Sequence, residues 1–365
     1  MSTRPALHTR ICDLLGVRYP IVQTGMGWVS GAALTAATSA AGGFGILAAA
    51  TMTFDELDAA IRAVRERTDR PFGVNMRADQ QGVEATADLV IRHGVKLASF
   101  AGPPHRDLIK RLQGGGVLTM PTIGAPRHAA KMAEWGVDAV IAQGHEGGGH
   151  TGPIPTSLLL PGACRATTIP VLGAGGFNSG RGLVAALAYG AAGIAMGTRF
   201  LLTKDSTVPD QIKAAYLKAS LTDTVVTHAI DGAPQRVIRT SVIDGLEKAS
   251  PLLRLPRALA NALGFRHLTK TSFGDFIKEG LAMRKSRALT WSQLAMAANA
   301  PMLTRASMVD GKLEVGILPT GQVVGAIDRL PTVAEVLEEI MREADETLGR
   351  LAGEDPVAAP LRERA

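Results

Sequence analysis

Short apolar runs of four to six residues recur along the first two hundred positions, separated by longer amphipathic stretches. The runs Pro20–Thr24, Phe44–Ala48, Phe72–Met76, Leu97–Phe100, Val117–Thr122, Ala139–Ala142, Pro170–Gly173 and Gly193–Met196 read as strands. Their apolar residues are continuous, as in strands buried on both faces. Between them, Phe54–Arg67, Pro104–Leu112, Arg127–Trp135 and Gly180–Tyr189 carry helical periodicity. Strands alternating with helices at this spacing predict parallel βαβ units. Eight such units predict an α/β fold of the closed (β/α)8 TIM-barrel type, with a doubly wound sheet as runner-up. Glycines at Gly42–Gly43, Gly94, Gly115–Gly116, Gly136 and Gly190 follow the helical patterns, where left-handed C-caps are expected.

After Phe200 the pattern changes. Val225–Ile230 and Gln235–Arg239 predict a hairpin turning at Asp231-Gly232. A basic helical stretch runs on to about Ala300, and Thr320–Val324 is a Gly-bearing loop. Pro331–Leu351 predicts a helix in which Thr332 and Glu335 form a capping box. Three parts follow: a barrel core over 1–205, an inserted hairpin and basic helical lid over 206–330, and a C-terminal helix with its tail over 331–365. The smaller C-terminal part is mainly helical.

Composition narrows the function classes. Hydrophobic residues make up 46% and charged residues 20% of 365, the balance of an ordinary globular protein. No apolar run is long enough to cross a membrane, and Met1–Arg10 lacks the apolar stretch of a signal peptide. Cys12 and Cys164 share no motif spacing, which excludes a disulfide framework. These features predict a cytoplasmic, reduced protein without membrane attachment. Between Arg236 and Arg287, eleven Lys and Arg stand against four Asp and Glu, which accounts for the whole net charge of +6. Such a stretch is either a solvated helical face or a mouth that attracts an anionic substrate. Nucleic acid is not expected, since no recognition motif and few aromatics accompany it.

The chemistry should gather at the C-terminal ends of the strands. Gly144–Gly152 holds five glycines in nine residues together with His145, Glu146 and His150. Neither a core strand nor a helix uses that composition, so the segment reads as a loop of unusual backbone angles. It brings an imidazole that exchanges protons near neutral pH. A metal centre is not expected, because no further ligands accompany these three side chains. Gly173–Asn178 and Met196–Arg199 follow the seventh and eighth strands, where barrels commonly hold phosphate. Asn75 and Gln143 end the third and sixth strands, and an amide both donates and accepts.

Five stretches carry a family resemblance: Pro20–Met26, Pro71–Asn75, Gln143–His150, Gly173–Phe177 and Gly190–Arg199. The chain resembles the nitronate monooxygenase group, FMN-dependent (β/α)8 proteins, over roughly residues 10 to 205. The resemblance implies that Gly25 and Met26 meet the flavin ring and that Asn75 and Gln143 hydrogen-bond it. It implies that Gly175, Gly176, Gly197 and Thr198 hold the phosphate, with Gly148, Gly149 and Gln322 completing the cofactor contacts. His150 matches the family's catalytic base. Gly147 stands where the family usually has Ala. The group includes nitronate monooxygenases, NAD(P)H:quinone reductases and enoyl reductases. Leu289–Gln293, Ala297–Met302, Gly321–Gly325, Thr24–Val29 and Phe200–Pro209 look like a subgroup of actinobacterial flavin-dependent dehydrogenases. These act on a hydroxy-indane carboxyl-CoA in the degradation of steroid rings C and D. The resemblance thus implies hydride exchange with a CoA thioester, and nitronate oxidation or quinone reduction are the alternatives. NAD(P)H is a candidate second redox partner, and a homodimer is a candidate assembly. His145, Arg236, Arg239 and Arg284 are the expected substrate contacts.

Overall fold

A computed structural model describes residues 4–80, 82–248 and 299–354. Eight parallel strands close into a barrel in the order β1-β2-β3-β4-β5-β6-β8-β9 and back to β1. They are β1 Ile21–Gln23, β2 Phe44–Ala48, β3 Gly73–Met76, β4 Leu97–Phe100, β5 Leu118–Ile123, β6 Val140–Gln143, β8 Val171–Ala174 and β9 Gly193–Met196. Each expected strand is present within one or two residues of its predicted place. The barrel interior is filled by Val22, Phe44, Ile46, Leu97, Met120, Ile141 and Leu172. Helix α1 (Arg10–Leu15) adds Ile11, Cys12 and Leu15 to this inner cluster. The interior is therefore packed rather than open.

Seven helices follow seven of the strands on the outside: α2 Ala32–Ala40, α3 Phe54–Arg65, α4 Val83–Arg92, α5 Arg106–Gly114, α6 Pro126–Glu134, α7 Thr156–Ala166 and α8 Gly180–Ala188. Gly136 and Gly190 end α6 and α8 at φ 82° and 92°, the left-handed geometry that their position after a helix predicts. After β9 comes only a single turn, α9 (Thr198–Leu201), then α10 (Asp210–Leu217). The place of an eighth outer helix is taken by α13 (Val333–Leu351), which packs against both α8 and α2. Its buried stripe of Val333, Val336, Leu337, Ile340, Met341 and Ala344 has the three-and-four spacing of an amphipathic helix. The approach to α8 is close. A Cβ on Gly180 would lie 2.3 Å from the Ala344 backbone nitrogen. The capping box at its start forms as predicted: Glu335 N–H donates to Thr332 Oγ1, and Thr332 N–H donates to Glu335 Oε2.

A second, three-stranded antiparallel sheet stands over the rim in the order β10-β11-β7. Strands β10 (Thr224–Thr227) and β11 (Gln235–Ile238) are the expected hairpin, with Thr227 opposite Gln235. The first strand stops three residues earlier than predicted. Ala229 and Ile230 leave the sheet to pack with Val237, Ile243, Leu246 and Ile317, so burial overrides their extended pattern. Gly232 turns the chain at φ 87°. Strand β7 is Gly149–His150, inside the glycine-rich segment predicted to be purely loop. Its two residues pair with Arg236 and Gln235 of β11, a long-range partner that local sequence does not reveal. Helix α11 (Ser241–Lys248) follows, and α12 (Asn299–Met308) resumes after the undescribed stretch. Among the described residues, no helix is long and apolar enough to cross a membrane.

Candidate active site

Every glycine loop singled out in the sequence meets at one rim. The loop after β1 lies over β3, where a Cβ on Gly25 would stand 2.3 Å from Asn75 Cβ. Asn75 is buried and its Nδ2 donates to Ser99 Oγ at 2.9 Å. Met26 Sδ lies 3.2 Å from the Cβ position of Gly197, so the loops after β1 and β9 touch. Gly175 and Gly176, after β8, are successive left-handed residues at φ 92° and 85°. A Cβ on Gly175 would stand 2.9 Å from the Gly147 nitrogen, placing that turn against the loop after β6.

The late segment closes the same rim. Gly321 N–H donates to Thr198 Oγ1 at 2.9 Å, and Gln322 N–H donates to Glu146 O at 2.9 Å. A Cβ on Gly148 would lie 2.4 Å from Gly321 N and from Thr320 C. The three loops therefore share one seam, in which backbone atoms occupy the space that a side chain at Gly148 would need.

Within the glycine-rich loop each polar side chain has its own task. Glu146 Oε2 accepts from Thr156 N–H at 2.9 Å and lies 2.7 Å from Thr156 Oγ1, so the carboxylate caps α7. His145 Nδ1 is 2.8 Å from Gly152 O. The buried guanidinium of Arg236 donates to His145 O and, at 2.9 Å, to Thr224 Oγ1. Burial pushes that guanidinium below its ordinary value, with Glu146 opposing. Of the expected substrate contacts, His145 and Arg236 thus have polar groups engaged within the loop. Arg239 stands at the surface paired with Asp244 at 2.9 Å. Arg284 lies outside the described residues, as does most of the basic stretch.

His150 differs from its neighbours. Its backbone is held on both sides: Gln143 Nε2 donates to His150 O at 2.7 Å, and Thr151 N–H donates to Pro234 O at 3.1 Å. Its imidazole is 63% exposed, yet Nε2 sits 2.8 Å from Oδ2 of Asp231, whose side chain is only 9% exposed. Gln235 Nε2 lies 3.2 Å from the same ring nitrogen. Burial pushes the Asp231 carboxyl up. The hydrogen bond and charge of His150, with Gln235 and the Ala233 N–H, outweigh this and hold it below the usual carboxylate range. Sequence reading identified Asp231 as a turn residue and missed this pairing, which spans 81 positions.

The model of the nitronate monooxygenase family matches residues 8–343. The chain belongs to the nitronate monooxygenase family. It is 54% identical over 341 residues to a Mycobacterium tuberculosis protein named (3aS,4S,5R,7aS)-5-hydroxy-7a-methyl-1-oxo-octahydro-1H-indene-4-carboxyl-CoA dehydrogenase, covering 93% of this chain and 96% of the relative. A Rhodococcus jostii protein of the same name is 52% identical, over 94% of this chain and 97% of the relative. Among solved structures, FabK from Thermotoga maritima superposes with a TM-score of 0.76 at 32% identity, covering 94% of this chain and 98% of that one. The nitronate monooxygenase family comprises flavin enzymes, and the chain is an oxidoreductase. Against the family pattern, the Gly at position 147 has a local reason. A Cβ there would lie 2.7 Å from Gln143 Nε2, in the space this amide uses to reach the His150 carbonyl.

Two further contacts brace the rim. Arg199 is buried after β9, where burial and the neighbouring Arg329 push its guanidinium down to about 10. It donates to Leu202 O and Arg329 O, tying α9 to the segment before α13. Trp28, at φ 65°, donates its indole N–H to Pro301 O at 3.1 Å, and Arg305 covers its ring at 5.3 Å. Helix α12 is thereby fastened to the loop after β1.

Proposed function

We propose that the chain binds FMN across this rim and exchanges a hydride with an acyl-CoA thioester, with His150 taking the proton. The observation that carries the reading is a single exposed imidazole held by a buried carboxylate at the lip of a cradle built from glycine backbone. The cradle fits a flavin mononucleotide. The consecutive left-handed residues Gly175 and Gly176 form a turn of the kind whose N–H groups bind phosphate, with Gly197 and Thr198 beside it. Gly25, Met26, Gly148 and Gly149 offer flat surface to a planar ring. Asn75 and Gln143 bring amides to its polar edge, and Gln322 lies at the seam.

The names of the relatives at 54% and 52% identity support a CoA thioester as substrate. The seven-charge basic surplus over 236–287 supports it too, since a CoA carries several negative charges. In those names the hydroxyl is on ring carbon 5 and the thioester on carbon 4, so the carbinol is β to the carbonyl. Two hydrogens leave such a substrate as a hydride from the β-carbon and a proton, and bound flavin supplies the hydride acceptor. His150 accepts the proton at the rim, and Gln143 and Gly147 keep its backbone in place.

The test is anaerobic addition of that hydroxy-indene-carboxyl-CoA, NAD(P)H or an alkyl nitronate to the purified flavoprotein, each alone. Bleaching of the flavin by the CoA thioester, and a loss of about 10²–10⁴ in that rate in His150→Ala, is the expected result. Bleaching by nitronate alone replaces this reading with nitronate oxidation, the activity in the family's name.

A further inference from the structure

The hairpin that sets His150 is built from residues eighty positions downstream of the glycine loop, and it contributes more than support. Gln235 is the cross-strand partner of His150, and Asp231 occupies the turn between β10 and β11. Asp231 uses both carboxylate oxygens. Oδ1 accepts the Ala233 N–H at 3.1 Å, and Oδ2 lies 2.8 Å from His150 Nε2. No other ionised side chain is bonded to the imidazole among the described residues. Arg236, on the same strand, is turned onto His145 O and Thr224 Oγ1, and Glu146 is turned onto Thr156. His228 faces its own turn at Gly232 O.

We propose that Asp231 is a positioning residue that fixes the tautomer of His150. It holds the proton on Nε2 and leaves Nδ1 as the nitrogen that accepts a proton from substrate. The reasoning is one of donor supply. An ionised carboxylate only accepts, so at 2.8 Å the hydrogen must belong to Nε2, while the Gln235 amide, 3.2 Å from that nitrogen, gives its hydrogen to Asp231. A neutral imidazole carries one N–H, which leaves the lone pair on Nδ1. Asp231 is held ionised by its three donors, so it acts only as an acceptor across the neutral range. The burial contrast points the same way. An exposed histidine gains little from a surface ion pair, whereas a carboxylate that is 9% exposed requires a partner and dictates that partner's orientation. The pairing makes the inserted hairpin part of the active site, because the barrel alone contributes the imidazole but not its orientation.

This rests on the reading of His150 as proton acceptor, and the experiment separates the two. Long-range ¹H–¹⁵N correlation spectra of the ¹⁵N-histidine-labelled holoprotein report which ring nitrogen bears the proton, with His150→Gln assigning the signal. The expected wild-type spectrum has neutral His150 protonated at Nε2. In Asp231→Asn the amide can present an N–H to Nε2, so the Nδ1–H form should become populated while flavin content is unchanged. Turnover of the hydroxy-indene-carboxyl-CoA should then fall about 10- to 100-fold in kcat, with KM within about 3-fold. That is less than the roughly 10⁴ lost in buried triads, because this ring is partly open to water. Asp231→Glu should recover part of the loss. A wild-type Nδ1–H tautomer overturns the proposal, even if the Asn variant fails to fold, and so does an Asn variant with the wild-type spectrum. Undiminished turnover in His150→Gln defeats the base reading instead, whatever the tautomer.

Discussion

Replacing Gly148 by Ala tests whether the loop after β6 and the late segment share one rigid seam. The added Cβ would stand 2.4 Å from both Gly321 N and Thr320 C, and 2.9 Å from Thr320 Cα. These are backbone atoms, so no rotamer change relieves the overlap, and the loops must separate by about 1 Å to reach ordinary contact. Two hydrogen bonds span the seam, Gln322 N–H to Glu146 O and Gly321 N–H to Thr198 Oγ1, both 2.9 Å. Overpacking costs about 1–3 kcal/mol. Losing two hydrogen bonds adds about 1 kcal/mol each. With an unfolding entropy of about 2.1 cal/mol/K per residue, 1 kcal/mol moves Tm by about 1.3 °C in a chain of 365 residues. The expected Tm loss is about 4–6 °C, with released flavin seen as a rise in its fluorescence. Gly116→Ala, just past the end of α5 and outside the cradle, is the control. No atom lies within 4 Å of its Cβ, and only the φ of 77° opposes the substitution. The left-handed penalty of about 1–2 kcal/mol predicts a loss of about 1–3 °C with flavin retained. Equal behaviour of the two variants in thermal unfolding and flavin content would refute the seam.

Thr198→Val removes the acceptor of the Gly321 N–H and leaves that buried donor unpaired, at a cost of about 1–3 kcal/mol. Flavin titration should show weakened binding, and unaltered affinity would separate Thr198 from the cofactor. Asp231 has a depressed carboxyl value, so its stabilising effect is complete above about pH 4 and is lost as pH falls through the lower folded value. The stability gap between wild type and Asp231→Asn should therefore shrink in denaturant titrations between pH 6 and pH 2, and a constant gap contradicts this. At Trp28 the indole bond, the Arg305 contact and the strained φ of 65° oppose one another. Trp28→Gly should be the less harmful change relative to Trp28→Ala by about 1 kcal/mol, since both lose the ring but only Gly accepts the left-handed backbone. The same midpoint for both in urea would argue against strain there.

The barrel was legible because its signals are local. Eight apolar runs, helical patterns between them and glycines such as Gly136 and Gly190 at the helix ends each report on their own few residues. Helix α7 was harder to see, since Pro161 and Gly162 interrupt its pattern, although the helix persists around both. Strand β7 and the shortened β10 were hidden for a different reason. Gly149–His150 is extended because β11 pairs with it, and Ala229–Ile230 leave the sheet because a separate apolar cluster takes them. Neither cause lies within the local window. The site shows the same division. His150, Gly175, Gly176 and Thr198 stand out by residue type and place, whereas Asp231 in a turn with Gly232 looks like ordinary turn chemistry.

The described residues after Phe200 complete both the outer ring and the rim of the barrel. A barrel ending at β9 would lack its eighth outer helix, and α2 and α8 would expose the apolar faces that α13 covers. It would also lack Gly321, whose N–H engages Thr198, and the hairpin that orients His150. The returning chain crosses the rim on its way to α13, since the 320–326 turn bonds to the loops following β6 and β9 just before that helix begins. Fold completion and site completion are thus consequences of one crossing. A truncation that removes α13 should therefore abolish flavin binding as well as stability, although α13 supplies none of the residues of the cradle.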